Sequence, residues 1–153
     1  MPTPKYWMMK TEPGEYSYQD LEQDGWTHWD GVRNYQAQNN MKAMAVGDLV
    51  LIYHSVGPKE VVGVAQVSRA AYPDPEEPEG SRWILVDIKP VKALSQPVHL
   101  KTIKEHNTLC DIPLVKQSRL SVMPLEKVDF NGLLKLGGVT QKAVQDALKA
   151  VSV

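Results

Sequence analysis

The sequence predicts an α+β domain in which a small curled β-barrel of mixed or antiparallel strands is flanked by helices. Three long strand candidates follow one another at residues 48–54, 61–67 and 82–91, separated by a turn and a loop rather than by helices. Consecutive strands joined in this way favour antiparallel pairing over a doubly wound parallel sheet. Helical candidates stand before and after these strands, and 153 residues suffice for one domain with its own core.

The chain begins with a strand candidate and two helix candidates. Residues 5–10 carry four apolar side chains in a row between two lysines, which predicts a central strand. Ser17 and Asp20 come close to a capping box that starts a short helix, and Gly25 is placed to end that helix. Residues 35–44 are the second helix candidate.

The three long strands occupy the middle of the chain. Residues 48–54 form the strongest candidate, and residues 61–67 are expected to return beside them as a hairpin. Gly63, inside the second strand, indicates a bend or a close approach of another group to the backbone. Residues 72–80 combine prolines and carboxylates, which is typical of a solvated loop, and the third strand at 82–91 places Trp83 in a core strand.

The last part of the chain contains short elements. We expect a short helix at 98–106, a last strand at 120–123, and helices at 130–136 and 140–151. The final helix has an apolar stripe at helical spacing, formed by Val144, Ala147, Leu148 and Val151. Such a stripe predicts packing against the same domain or against a partner.

Composition limits the classes of function. Seventeen basic and eighteen acidic residues give a net charge of −1, which argues against a protein that coats nucleic acid through its phosphates. A single Cys110 excludes an internal disulfide framework and favours a reducing compartment. Without a signal-peptide or membrane-span pattern, we expect a cytoplasmic protein with no membrane partner, no metal and no cofactor. Residues 4–136 are expected to form the domain and 137–153 a terminal helix; the oligomeric state stays open.

Residues 26–40 are the most informative segment for function. They hold two tryptophans, an arginine, a tyrosine, three asparagines and two glutamines. Flat apolar faces beside amide donors and acceptors suit a pocket for a planar heterocycle, because stacking supplies affinity and the amides read the ring edge. The alternative is structural: Trp26 and Trp29 pack under a loop, and the amides cap a helix.

Other polar groups stand at the ends of strands. Lys10 beside Thr11 could ease deprotonation of the hydroxyl, with Glu12 moving the proton, although the same residues could simply end a strand. Neighbouring residues on a strand point to opposite faces, which weakens the catalytic interpretation. Ser55 follows the strongest strand and could contact a ligand, and Arg119 could meet either a phosphate or a carboxylate.

Several ordered blocks along the chain resemble the EVE domain family, a PUA-like group related to the YTH domains. The resemblance extends from Tyr6 to about Met123. The blocks that carry it are residues 6–13, 29–37, 47–48, 53–55, 71–74, 82–83 and 119–122.

The resemblance implies a PUA-like barrel and a pocket that accepts a modified base flipped out of DNA or RNA, without chemistry on that base. Trp29 would supply an aromatic wall, residues 30–35 with Asn39 would read the ring edge, and the others would close the site. The pocket residues it implies are Lys10, Thr11, Trp29, Asp30, Gly31, Val32, Arg33, Asn34, Tyr35, Asn39, Ser55, Tyr72, Pro73, Ser118, Arg119 and Ser121.

The sequence also departs from the family pattern. Gln38 stands where the family usually has arginine, which puts a phosphate contact there in doubt, and Thr11 stands where serine is usual. An enzymatic alternative comes from the ASCH domains, PUA-like barrels of which some resemble amidohydrolases of acylated cytidine that use Lys, Thr and Glu. A third hypothesis is an interaction scaffold, which requires an exposed apolar patch and no cavity beside Trp29.

Overall fold

A computed structural model describes residues 4–30, 32 and 34–151 of the chain. Six strands and six helices alternate irregularly along it, which makes the fold α+β. The elements are β1 (Tyr6–Thr11), α1 (Tyr18–Asp24), β2 (Thr27–Trp29), α2 (Tyr35–Ala43), β3 (Leu49–His54), β4 (Glu60–Pro73), β5 (Ile84–His99), α3 (Leu100–Glu105), a 3-10 turn (Leu109–Asp111), α4 (Pro113–Lys116), β6 (Val122–Leu125), α5 (Lys127–Leu136) and α6 (Gln141–Val151).

The six strands form one mixed sheet in the order β2-β5-β4-β3-β1-β6. The β1–β3 pair is parallel, and every other neighbouring pair is antiparallel. Within the described ranges β2 and β6 are the sheet's two edges, so the sheet is open. The pairing of the long strands β4 and β5 shifts register repeatedly, which curves the sheet. The predicted α+β class with flanking helices is confirmed. The strands that were expected to form a small mixed or antiparallel barrel form one curved, mixed sheet with two edges.

Strand β1 is central, as its sequence predicts. It lies between β3 and β6, and Trp7, Met8 and Met9 are buried on both of its faces. Consecutive side chains are buried, so both faces of the sheet are covered at β1, which explains the continuous apolar run. Strand β4 pairs antiparallel with β3, with Gln66 opposite Leu49, so the two strands form the expected hairpin.

Two local predictions are confirmed around helix α1. Ser17 and Asp20 form a complete capping box, and Gly25 ends the helix in the left-handed conformation with φ of 80°. Gly63 lies directly under the Tyr18 ring, since a Cβ atom at this position would be 2.4 Å from the ring. The Tyr18 hydroxyl donates to the Val64 carbonyl at 2.7 Å, so α1 is fixed to β4.

Several sequence-based boundaries differ from the structure. Strand β5 continues to His99, through residues expected to begin a helix. Residues 27–29, which the sequence analysis assigned to no strand or helix, form strand β2, which pairs with β5. Tyr72 and Pro73 belong to β4 rather than to the acidic loop. Trp83 precedes β5 instead of lying inside it. Strand β6 continues through Pro124, which an edge strand tolerates because one side of it needs no ladder hydrogen bond.

The C-terminal helices pack on the same domain. Helix α5 buries Phe130, Leu133 and Leu134, and α6 contacts β5 and buries Val144. In the part of the chain that the structure describes, no helix combines the length and apolar character needed to cross a membrane.

Candidate functional site

A cavity of about 650 Å³ opens where the ends of β1 and β3 meet strand β2 and the start of α2. This volume lies within the range of roughly 300–1,000 Å³ that is usual for small-molecule sites. The cavity is lined by Lys10, Thr11, Glu12, Glu15, Tyr16, Thr27, His28, Trp29, Asp30, Val32, Asn34, Ser55 and Ser121.

Two aromatic rings meet at this cavity. Trp29 is the last residue of β2 and is 8% exposed, because the sheet covers most of its ring. The Tyr16 ring stands almost perpendicular to it, with ring centres 6.4 Å apart and an angle of 86°. Burial, with a hydrogen bond from the Tyr16 hydroxyl to Asp24, raises the pKa of Tyr16 to about 12. Tyr16 is therefore a neutral donor at physiological pH.

Lys10 places a half-buried ammonium at the cavity. Its Nζ donates to the Ser118 carbonyl at 2.8 Å and lies 5.8 Å from the centre of the Tyr53 ring. Burial lowers the pKa of Lys10, and the nearby charge of Lys59 lowers it further. The side chain is thus held in one position by the segment that precedes β6.

The end of β1 is also fixed by hydrogen bonds. The Thr11 hydroxyl donates to the Tyr16 carbonyl at 2.7 Å. The Thr11 carbonyl accepts from the Ser55 amide at 3.0 Å and lies 3.3 Å from the Ser55 hydroxyl, which also donates to it. The Lys10 amide donates to the Ser121 carbonyl at 2.9 Å. Three separate segments of chain are therefore joined at the cavity wall.

His54 lies behind this wall, at the end of β3. Its Nε2 accepts the Tyr18 amide proton at 3.1 Å, which requires the unprotonated ring nitrogen. Burial lowers the pKa of His54, and the carboxylate of Glu60 partly opposes that shift. The histidine has a structural hydrogen bond that links α1 to β3.

Helix α2 contributes its first residues to the site. Asn34 caps the helix, since its Oδ1 accepts from the Ala37 amide at 2.9 Å, and its amide NH₂ remains as a donor. Gln38 is completely buried one turn later. Its Nε2 donates to the Val32 carbonyl at 3.0 Å, and its Oε1 accepts from the Ile84 amide at 3.1 Å. A neutral amide thus ties the cavity segment to the start of β5, at the position where the family usually has arginine.

The structure brings half of the predicted site residues together. Lys10, Thr11, Trp29, Asp30, Val32, Asn34, Ser55 and Ser121 line the cavity. Gly31 and Arg33 lie outside the described residues. Ser118 takes part through its carbonyl, which holds Lys10 in place. Arg119 and Asn39 are exposed and lie outside the lining set.

Tyr35, Tyr72 and Pro73 also lie outside the cavity lining. The Tyr72 hydroxyl donates to Asp87 Oδ1 at 2.5 Å, and Arg69 lies 3.7 Å from the centre of its ring. Burial and the hydrogen bond to Asp87 raise the pKa of Tyr72 to about 12. This tyrosine is held within strands β4 and β5 by its own polar partners, because β4 extends further than the sequence suggests.

Five of the lining residues are absent from the set that the resemblance implies: Glu12, Glu15, Tyr16, Thr27 and His28. Of these, the sequence analysis names only Glu12, as the group that would move a proton in the catalytic interpretation. Three of the lining side chains are carboxylates, and they outnumber the single Lys10 ammonium. This balance disfavours a phosphate inside the cavity and favours a neutral or proton-donating ligand. Within residues 4–30, 32 and 34–151, no three His, Cys, Asp or Glu side chains are grouped as a metal site.

Comparison with known proteins places the chain among defined relatives. The sequence model of the EVE domain matches residues 5–136. Thymocyte nuclear protein 1 of Mus musculus is 32% identical over 164 residues, which cover 86% of this chain and 73% of that protein. The crystal structure of human thymocyte nuclear protein 1 in complex with DNA containing 5-methylcytosine has a TM-score of 0.80 and 29% identity, covering 87% of this chain and 97% of that one.

A more distant likeness extends the comparison of folds. The YTH domain of a Zygosaccharomyces rouxii protein, in complex with N6-methyladenosine RNA, has a TM-score of 0.58 and 15% identity, covering 92% of this chain and 91% of that one. At this identity the likeness concerns the fold alone, and the chain is related to the YTH domains in its fold. Since the family match covers most of the sequence and agrees with the motifs, this chain belongs to the EVE domain family.

Proposed function

We propose that this protein binds a modified nucleobase, flipped out of DNA or RNA, in the cavity beside Trp29 and leaves the base chemically unchanged. The observation that carries the proposal is the arrangement of that cavity. One tryptophan ring borders it, and polar groups of Lys10, Thr11 and Asn34 surround it at positions fixed by hydrogen bonds. The complex of human thymocyte nuclear protein 1 with 5-methylcytosine DNA supports the same class of ligand.

The energetic requirement fits such a site. Flipping a base out of a stack costs a few kcal/mol, and one aromatic stack returns about 1–3 kcal/mol. Hydrogen bonds from fixed groups to the ring edge supply the remainder, because they need no reordering of the protein on binding. With a net charge of −1, most of the affinity has to come from the cavity rather than from phosphates.

Titration of matched oligonucleotides tests the proposal. Strands that carry one 5-methylcytosine or one N6-methyladenine are compared with the unmodified strands of the same sequence, at one salt concentration. We expect one modified strand to bind more tightly than its unmodified control. Equal affinity for every member of the set would contradict the proposal.

A hydrolase is the second candidate, and one observation favours it. Lys10, Thr11 and Glu12 line the same cavity, although alternation along a strand predicts opposite faces. The cavity lies across the end of β1, so residues from both faces reach it. Hydrolysis of an N4-acylated cytidine would add water across the amide bond and release a carboxylic acid and the amine.

The hydrogen bonds of the site count against that reaction. The Thr11 hydroxyl donates a hydrogen bond to the Tyr16 carbonyl. This hydrogen bond has to break before the hydroxyl oxygen can attack the amide of the substrate. Incubation with N4-acetylcytidine separates the two candidates. Turnover that Lys10→Ala abolishes would favour the hydrolase, and the absence of turnover together with selective binding would favour the reader. The scaffold hypothesis predicts an open surface without a cavity beside Trp29, so the cavity that Trp29 lines counts against it.

A further inference from the structure

A group of three side chains, two exposed and one partly buried, lies outside the cavity and combines aromatic rings with a guanidinium. Arg82 Cζ lies 3.8 Å from the centre of the Tyr35 ring and 5.6 Å from the centre of the Trp83 ring. The two ring centres are 5.9 Å apart, with an angle of 38° between the rings. We call Tyr35, Arg82 and Trp83 the stacking cluster. Cation–π contacts of this geometry hold an arginine in place without neutralising its charge.

The stacking cluster is accessible. Tyr35 is 61% exposed and is the first residue of helix α2. Arg82 is exposed as well, and among the described residues it forms no ion pair, even though residues 74–79 supply four carboxylates nearby in the chain. An aromatic face and an unneutralised guanidinium are therefore presented to solvent together.

The stacking cluster is continuous with the cavity. Asn34, which lines the cavity, directly precedes Tyr35. On the other side, Trp83 directly precedes Ile84, and Gln38 joins the Ile84 amide to the carbonyl of the cavity residue Val32. The cluster and the cavity wall are thus joined through Gln38 and through the start of helix α2.

We propose that the stacking cluster binds the nucleotide next to the base held in the cavity, in a DNA or RNA strand. This proposal rests on the proposed function. The Tyr35 ring stacks on the neighbouring base, and the Arg82 guanidinium donates to a backbone phosphate. Base–aromatic stacking accepts any base, and the planar guanidinium matches a phosphate with two parallel hydrogen bonds, so the contact adds affinity without sequence preference.

The acidic loop limits the length of this contact. The Asp74 amide donates to the Trp83 carbonyl at 3.2 Å, so the carboxylates of residues 74–79 begin next to the stacking cluster. Their charge repels phosphates beyond Trp83. The strand is therefore engaged over a short span beside the cavity and is then directed away from the protein.

The test compares a single nucleoside with a strand. The ligands are 5-methyl-2′-deoxycytidine, followed by NMR titration, and a single-stranded oligonucleotide with one central 5-methylcytosine. We expect Tyr35→Ala to weaken oligonucleotide binding by roughly 5- to 150-fold, the range of one lost base stack, and to leave nucleoside binding unchanged. Tyr35→Phe keeps the ring and should bind the oligonucleotide like the wild type.

Salt dependence tests the phosphate contact. Arg82→Ala should reduce the slope of log affinity against log salt concentration by about 0.7, the contribution of one phosphate in a single strand. Lys142→Ala removes the same charge from helix α6, which contributes no residue to the cavity lining, and should leave the slope unchanged. A merely structural role of Arg82 would not alter the slope selectively.

The outcomes separate this proposal from the proposed function. If Tyr35→Ala binds the modified oligonucleotide like the wild type and modification preference persists, the stacking cluster has no such role and the proposed function stands. If the nucleoside loses as much affinity as the oligonucleotide, Tyr35 belongs to the base site, which also overturns the proposal. If the cluster variants weaken binding but no modification is preferred, the stacking cluster does bind the strand, and the proposed recognition of a modified base is contradicted. Absence of any binding overturns both.

Discussion

Two tryptophan–carboxylate pairs lie in different parts of the sheet and use the same groups differently. In the first pair, Trp7 is 4% exposed and its indole N–H donates to Asp48 Oδ2 at 2.9 Å. In the second pair, Trp29 borders the cavity, and the side chain of its neighbour Asp30 is 61% exposed. The His28 ring lies 4.0 Å from that carboxylate.

The difference lies in how completely the carboxylate is used. Asp48 also accepts from the backbone amides of Lys5 and Ala45, at 3.0 and 2.9 Å, so its oxygens serve the fold. Asp30 retains acceptor capacity beside the cavity. A buried tryptophan therefore says little about function by itself, whereas unused hydrogen-bonding capacity beside it points to a ligand.

The two tryptophans provide the largest expected effect. Trp7→Ala should lower the free energy of unfolding by about 3–5 kcal/mol, because a fully packed ring is lost. Trp29→Ala should lower it less, since the ring borders a cavity, and should weaken binding of the modified oligonucleotide by about 1–3 kcal/mol. Denaturant unfolding and oligonucleotide titration of both variants measure these changes.

Trp7 is the appropriate reference because of where the structure places Trp83. The sequence predicts Trp83 inside a core strand, but it precedes β5 and is only partly buried. If Trp29→Ala unfolds as readily as Trp7→Ala and still binds the modified strand normally, Trp29 is a core residue and the comparison fails.

Substitutions of the two carboxylates, Asp48 and Asp30, test the same comparison and should change the free energy of unfolding by smaller amounts. Asp48→Asn should lower the free energy of unfolding by about 1–3 kcal/mol. The three N–H groups donate to both carboxylate oxygens of Asp48, whereas a side-chain amide has one accepting oxygen and an NH₂ group that cannot accept. Asp30→Asn should change it by less than about 0.5 kcal/mol, as expected for an exposed side chain. The expected effect of Asp30→Asn is a change in ligand affinity rather than in stability. A stability loss at Asp30 equal to that at Asp48 would remove the distinction between the two pairs.

Gln38 tests whether the cavity segment needs its tether to β5. Gln38→Leu keeps the volume similar and leaves the Ile84 amide and the Val32 carbonyl without their partner, which should cost about 1–3 kcal/mol of stability. Ligand affinity should fall as well, because the Val32 segment is no longer held. Gln66→Leu is a matched control, since the Gln66 amide donates to the Gly47 carbonyl, whose residue does not line the cavity. Normal affinity in the folded Gln38 variant would show that the tether serves stability alone.

Elements with local signals were predictable from the sequence. The apolar run of β1, the capping box at Ser17 and the close approach at Gly63 each depend on neighbouring residues or on one type of side chain. Ordered motifs also identified the cavity residues Trp29 and Asn34, through resemblance.

Features that depend on distant segments were not predictable. Strand β2 is only three residues long, and it exists because β5 offers an edge on which to pair. Tyr16 reaches the cavity because the turn after β1 carries it opposite Trp29, which no periodicity in the sequence encodes. The parallel β1–β3 pair likewise follows from the path of the chain through α1 and α2.

His54 gives the smallest expected effect, and it concerns pH. Burial holds the pKa of His54 below its ordinary value, because the folded protein disfavours the charged ring. The unprotonated ring contributes stability above about pH 6.5, the usual pKa of an unfolded histidine, and this contribution is lost as pH falls through the folded pKa. The hydrogen bond that Nε2 accepts from the Tyr18 amide is lost in the same range.

His54→Gln keeps a hydrogen-bond acceptor near the Tyr18 amide and removes the titration. The free energy of unfolding of this variant, measured by denaturant at a series of pH values from neutral to mildly acidic, should fall less steeply than that of the wild type. Trp29 and the cavity should be affected only indirectly, so binding at neutral pH should be unchanged. Identical acid sensitivity in the variant and the wild type would assign the loss to other groups and leave His54 as an ordinary link between α1 and β3.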